Sequence, residues 1–72
     1  MVVLRERFDT LSSREREIMI KATAGHLNKQ IASDIGIAES TVKVHRSNLM
    51  RKMKAGSLPE FSRMADILKL TP

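Results

Sequence analysis

Asn28-Lys-Gln-Ile-Ala-Ser-Asp-Ile-Gly36, followed by Ile37-Ala-Glu-Ser-Thr-Val-Lys-Val-His-Arg-Ser-Asn-Leu-Met-Arg-Lys-Met-Lys54, reads as two helices of unequal length with a turn between them. Asn28 is expected to cap the first helix, and Ile31, Ala32 and Ile35 give it one apolar face. Gly36 closes it, because a glycine adopts the left-handed backbone that ends helices without a steric cost. The second helix runs without interruption from about Glu39 to Lys54 and is expected to stop at Gly56. Ala38 precedes it and offers no side-chain acceptor, a loss of about 1 kcal/mol against Ser or Thr. Two helices joined by a turn of three or four residues form a helix-turn-helix.

Working outward, Ser12 and Glu15 have the spacing of a capping box and start an earlier helix, which buries Ile18, Met19 and Ala22 and stops at Gly25. Ser57 and Glu60 repeat that spacing, with Pro59 tolerated in the first turn, and open a last helix to about Leu70. Residues 1–10 show no clear period and are expected as a linker remnant, with residues 11–70 as the domain. The expectation is an all-α fold of four helices, with no strand and no internal repeat.

Composition agrees with that reading. A chain of 72 residues holds one domain with a small core. Phe8 and Phe61 are its two aromatic residues, so Leu, Ile, Val, Met and Ala must supply the packing. Met19, Met50, Met53 and Met64 are most simply core filler. The absence of cysteine excludes a disulfide framework and Cys-ligated zinc, and fits a reducing cytoplasm. The apolar run at Met1 to Leu4 is far short of the roughly 20 residues a membrane span needs, so no membrane partner is expected. Neither His26 nor His45 has partners at a catalytic or metal-ligand spacing, and no Gly-rich phosphate loop occurs. Enzyme activity, a metal and a cofactor are not expected.

The net charge of +5 and pI near 10.3 call for an anionic partner. The charge is also local: between Ser40 and Pro59 lie Lys43, Arg46, Arg51, Lys52 and Lys54, and no acid. On a wheel of about 100° per residue, Val42, Leu49 and Met53 fall within about 40° of one another and face the core. Lys43, Val44, Ser47 and Arg51 then occupy the outward arc. In a helix-turn-helix the second helix enters the major groove of duplex DNA, and here it runs through roughly Thr41 to Met53. An apolar Val44 among cations has a use there, since it can meet a thymine methyl. Lys43 can donate to guanine, and Ser47 can bond either kind of base edge.

Arg51 at the end of the arc and Arg46, Lys52 and Lys54 at its flanks are expected at phosphates, which fix register without reading sequence. Asn28, Lys29 and the free backbone N–H groups at the start of their helix form a second phosphate anchor. His45 falls at the core margin, where a partly buried, hydrogen-bonded role is expected. A protein-interaction module that turns the same basic face to an acidic protein is the competing reading. RNA is disfavoured by the shortage of stacking aromatics.

Four stretches carry a resemblance to a known family: Leu11-Ser-Ser-Arg-Glu-Arg-Glu-Ile, Ala24-Gly-His-Leu-Asn-Lys-Gln-Ile-Ala, Ile37-Ala-Glu-Ser-Thr-Val-Lys-Val-His and Lys52-Met-Lys. In order and spacing they resemble the LuxR-type helix-turn-helix, and Met53-Lys-Ala-Gly-Ser-Leu-Pro is similar to the FixJ/NarL-like response-regulator output domains. The resemblance implies a four-helix domain that regulates bacterial transcription as the output part of a two-component system. Its partners would be double-stranded DNA, an amino-terminal receiver domain and RNA polymerase.

By the same resemblance Lys43, Val44 and Ser47 face the bases, and Asn28, Lys29, Thr41 and Arg46 lie near the backbone. The last helix would form a homodimer contact through Met64, Ile67 and Leu70. This chain departs from many such domains at Ala38, where they carry Ser or Thr, and from some at Ser47, where they carry Lys.

Overall fold

In this computed structural model, which describes residues 2–69, the segments flanked by cap residues are helical at nearly the expected bounds. The order is α1 (Val2–Asp9), α2 (Ser13–Thr23), α3 (Asn28–Ile35), α4 (Glu39–Met53) and α5 (Leu58–Ile67). No strand occurs among the described residues. The fold is all-α, as expected, but it has five helices among the described residues rather than four.

The additional helix is α1, where a linker was expected. Its helical period is hard to see because Leu4 and Phe8, four residues apart, are the side chains that reach the core, with charged Arg5, Glu6 and Arg7 between them. Phe8 is buried, and the guanidinium groups of Arg16 and Arg5 lie 5.1 and 5.6 Å from its ring centre. Arg7 Nη1 donates to the carbonyl of Met53 at 3.3 Å, which satisfies a backbone acceptor at the carboxyl end of α4.

α2 starts as the sequence predicts. Ser12 Oγ accepts from the Glu15 amide at 3.1 Å, and Glu15 Oε1 accepts from the Ser12 amide at 2.8 Å. α2 ends before Gly25, whose φ of 98° is left-handed, and α3 ends on Gly36 at φ 72°. Two cap assignments need correction. The residue before α3 is Leu27, so Asn28 is the first helical residue and not the cap; the Leu27 amide instead donates to Gln30 Oε1 at 2.8 Å. α4 ends on Lys54, itself left-handed at φ 58°, two residues ahead of Gly56.

Ala38 does precede α4 without a side-chain cap bond. At α5 the Ser57 hydroxyl accepts from the Glu60 amide at 3.3 Å, while Glu60 Oε2 takes the Gly56 amide at 3.3 Å, so only half of the second box forms.

α4 packs against α1, α2 and α3, and α5 closes over α2. Ile18, Met19, Ile31, Val42, Leu49 and Met53 are the largest fully buried side chains, joined by Phe61, Met64, Ala65 and Leu68. One charged side chain enters this interior. Glu15 is only 4% exposed, and its Oε1, already bonded to the Ser12 amide, also accepts from Lys52 Nζ at 2.9 Å. Burial pushes the Glu15 carboxyl up; the Ser12 amide, the Lys52 ammonium and the Ser12 hydroxyl together outweigh it and hold the group below the usual carboxylate range.

A carboxyl whose pKa is lower in the folded than in the unfolded chain contributes stability above the unfolded value of about 4.3, and that contribution is lost as pH falls through the folded value. Glu15→Gln removes the charge-assisted bond to Lys52 and should cost about 1–2 kcal/mol at neutral pH. Urea unfolding at several pH values should show this difference shrinking below about pH 4. A pH-independent difference would contradict the assignment.

Candidate nucleic-acid interface

Because α4 buries Val42, Leu49 and Met53 completely, the direction of its opposite arc is fixed by packing. Val44 stands on that arc 59% exposed, next to exposed Lys43 and Ser47, so the three side chains expected at bases share one outward face. Lys43 Nζ lies 4.0 Å from Glu39 Oε2 one turn earlier, with both side chains well exposed. Such a surface pair is worth little in water and leaves the ammonium free to change partners. Thr41 and Arg51, at the two ends of the arc, are exposed, and Arg51 Nη2 donates to Asn48 Oδ1 at 3.3 Å.

The short turn from Gly36 to Ala38 leads α3, which packs against α4, into that helix. Lys29 is exposed. Asn28 Oδ1 accepts from Arg46 Nη1 at 2.6 Å, a bond between residues 18 positions apart. Arg46 is therefore half-buried and held, where the sequence suggests a freely projecting cation.

Two expectations change. Lys52 is bound to Glu15 across the α2–α4 contact and leaves the set of phosphate candidates. Met64 is buried in the core of its own domain and cannot offer a dimer surface. Ile67, 40% exposed, does face outward on α5, while Leu70 lies outside the described residues. His45 is half-buried and His26 exposed. Among the described residues no cluster of His, Cys, Asp or Glu could hold a metal ion, and no helix is long and apolar enough to cross a membrane.

The sequence reading missed the Asn28–Arg46 and Glu15–Lys52 pairs, and in both cases a local role masked the distant one. Asn28 resembles a cap and Glu15 completes one, so neither signals a partner on α4. The i, i+3 spacing of Ser12 and Glu15 explains only the reciprocal bonds between these two residues.

A short helix, a glycine turn and a longer helix with an outward arc of Lys43, Val44 and Ser47 define a helix-turn-helix domain. Residues 9–65 match the family described as bacterial regulatory proteins, luxR family, and the chain belongs to that family. It is 53% identical over 62 residues to the transcriptional regulatory protein FixJ of Rhizobium meliloti, covering 86% of this chain and 30% of that protein. It is 46% identical over 66 residues to the response regulator protein TodT of Pseudomonas putida, covering 92% of this chain and 29% of that protein.

Among solved structures, full-length FixJ from B. japonicum superposes with a TM-score of 0.83 at 42% identity, covering 90% of this chain and 32% of that one. The chain thus spans slightly under a third of the length of these relatives.

Proposed function

We propose that this domain binds duplex DNA with sequence preference by laying α4 in the major groove, as the output portion of a bacterial two-component transcription regulator. One observation carries the reading: the buried seam of α4 turns Val44, 59% exposed, outward together with exposed Lys43 and Ser47. Cation, methyl group and hydroxyl on one helix face match guanine, a thymine methyl and either kind of base edge. Lys43, Val44 and Ser47 read base edges in this proposal. Lys29, Thr41, Arg46 and Arg51 hold phosphates and set the register of the helix.

Membership in the luxR family supports a regulatory role, and the greater length of the relatives, one of them named a response regulator, supports an attached receiver domain; RNA polymerase is proposed as a further partner. A location in the bacterial cytoplasm is part of this proposal, since the DNA the domain would bind lies there. Two copies are proposed to pair on DNA through the outer face of α5, with Ile67 at the contact, on half-sites about 34 Å apart or a multiple of that.

Affinity for a preferred duplex should fall with salt, log K dropping by about 0.9 per unit log salt for each phosphate neutralised. Lys43→Ala and Val44→Ala should each narrow the gap between preferred and random duplex, by about 1–3 kcal/mol for Lys43. Arg51→Ala should weaken both alike. Fluorescence anisotropy with the two duplexes checks this. Equal losses for Lys43→Ala would contradict base reading, and no binding to any duplex at low salt would leave an acidic protein as the partner for this face.

On a paired site Ile67→Glu should abolish cooperativity while leaving single half-site affinity intact. Undiminished cooperativity in this variant, measured by gel shift, would remove α5 from the contact.

A further inference from the structure

We propose that Asn28 is a positioning residue for Arg46: its carboxamide oxygen holds the guanidinium so that the remaining donors of Arg46 meet a DNA phosphate in a fixed place. The inference rests on the DNA reading above and assigns Asn28 a role through Arg46 in place of a direct contact.

The bond is short, 2.6 Å from Arg46 Nη1 to Asn28 Oδ1, and it joins α3 to α4 across 18 residues of sequence. Asn28 is not needed as a cap, since the cap position is Leu27 and the Leu27 amide is satisfied by Gln30. Its oxygen is therefore free for this partner. Chemistry selects the amide over a carboxylate. A neutral oxygen fixes one N–H and leaves the full positive charge of Arg46 available, whereas a carboxylate would fix and neutralise it together.

A guanidinium on a flexible stem normally loses rotamer freedom when it binds. Here part of that loss has already occurred in the free domain. Arg46 emerges from the α4 flank and Asn28 from the first turn of α3. A phosphate held by Arg46 is thus placed relative to both members of the helix-turn-helix, and the base-reading arc is positioned with it.

A double-mutant cycle on affinity for a preferred duplex tests the proposal, with thermal unfolding recorded for each variant and binding measured where all are folded. Asn28→Ala should weaken binding about three- to tenfold, the cost of immobilising one long side chain at binding, and leave the salt slope unchanged. In an Arg46→Ala background the same substitution should have no further effect. Asn28→Asp, which retains the position of Arg46 but cancels its charge, should lower the salt slope by about 0.9, as Arg46→Ala does.

Additive losses in the cycle would show that Asn28 acts independently of Arg46 and overturn the proposal. So would undiminished affinity in Asn28→Ala, or an unchanged salt slope in Asn28→Asp. A wild-type domain that binds no duplex would instead overturn the DNA reading, and this inference would fall with it.

Discussion

The burial of Val42, Leu49 and Met53 in one seam of α4 governs everything else in this domain. All three are fully buried, and α4 as a whole packs against α1, α2 and α3. Each turn of α4 therefore has a fixed orientation, and the exposure of Lys43, Val44 and Ser47 follows from packing on the other side. No loop conformation is required to present that face. With few aromatic residues available, the same aliphatic and methionine side chains that orient α4 also supply most of the core, so stability and recognition share one set of contacts.

Two polar ties complete the constraint at the borders of this core. Glu15 joins the first turn of α2 to the last part of α4 through Lys52, and Asn28 joins α3 to the middle of α4 through Arg46. The seam alone would permit α4 to slide or tilt, because aliphatic contacts are non-directional. Directional bonds at two points, on different neighbours, oppose that freedom. They also divide the basic residues of α4 into held and free groups: Lys52 is committed to the fold, Arg46 is held at its edge, and Lys43 and Arg51 remain exposed.

Features encoded by adjacent residues were legible in the sequence. The Ser12–Glu15 box, the left-handed Gly25 and Gly36, and the inward seam of α4 depend on spacings of one to four positions or on a single helix wheel. Features that need a distant partner were not. Among its described side chains α1 has Leu4 and Phe8 to declare its buried face, and it is secured by Arg7 bonding to Met53 and by Arg16 of α2 lying over Phe8. The cap of α3 falls one residue earlier than expected: Leu27 takes the position without a side-chain cap bond, Gln30 reaches back to the Leu27 amide, and the Asn28 oxygen is engaged by Arg46.

Lys52 and Arg46 look like any other exposed cations until Glu15 and Asn28 are seen beside them. The base-facing trio was recovered because its placement is the geometric complement of the seam. Met64, expected both as core filler and at a dimer contact, takes only the first role, because α5 uses its apolar seam with Phe61, Ala65 and Leu68 internally.

The most direct measurement is the change in backbone and side-chain NMR signals of the isotopically labelled domain on titration with duplex DNA. The outward arc of α4, from Thr41 through Lys43, Val44 and Ser47 to Arg51, should shift together with Asn28 and Lys29, while α1 and the outer face of α5 stay unperturbed on a single half-site. Shifts concentrated on α1 or α5, with that arc unchanged, would contradict the account.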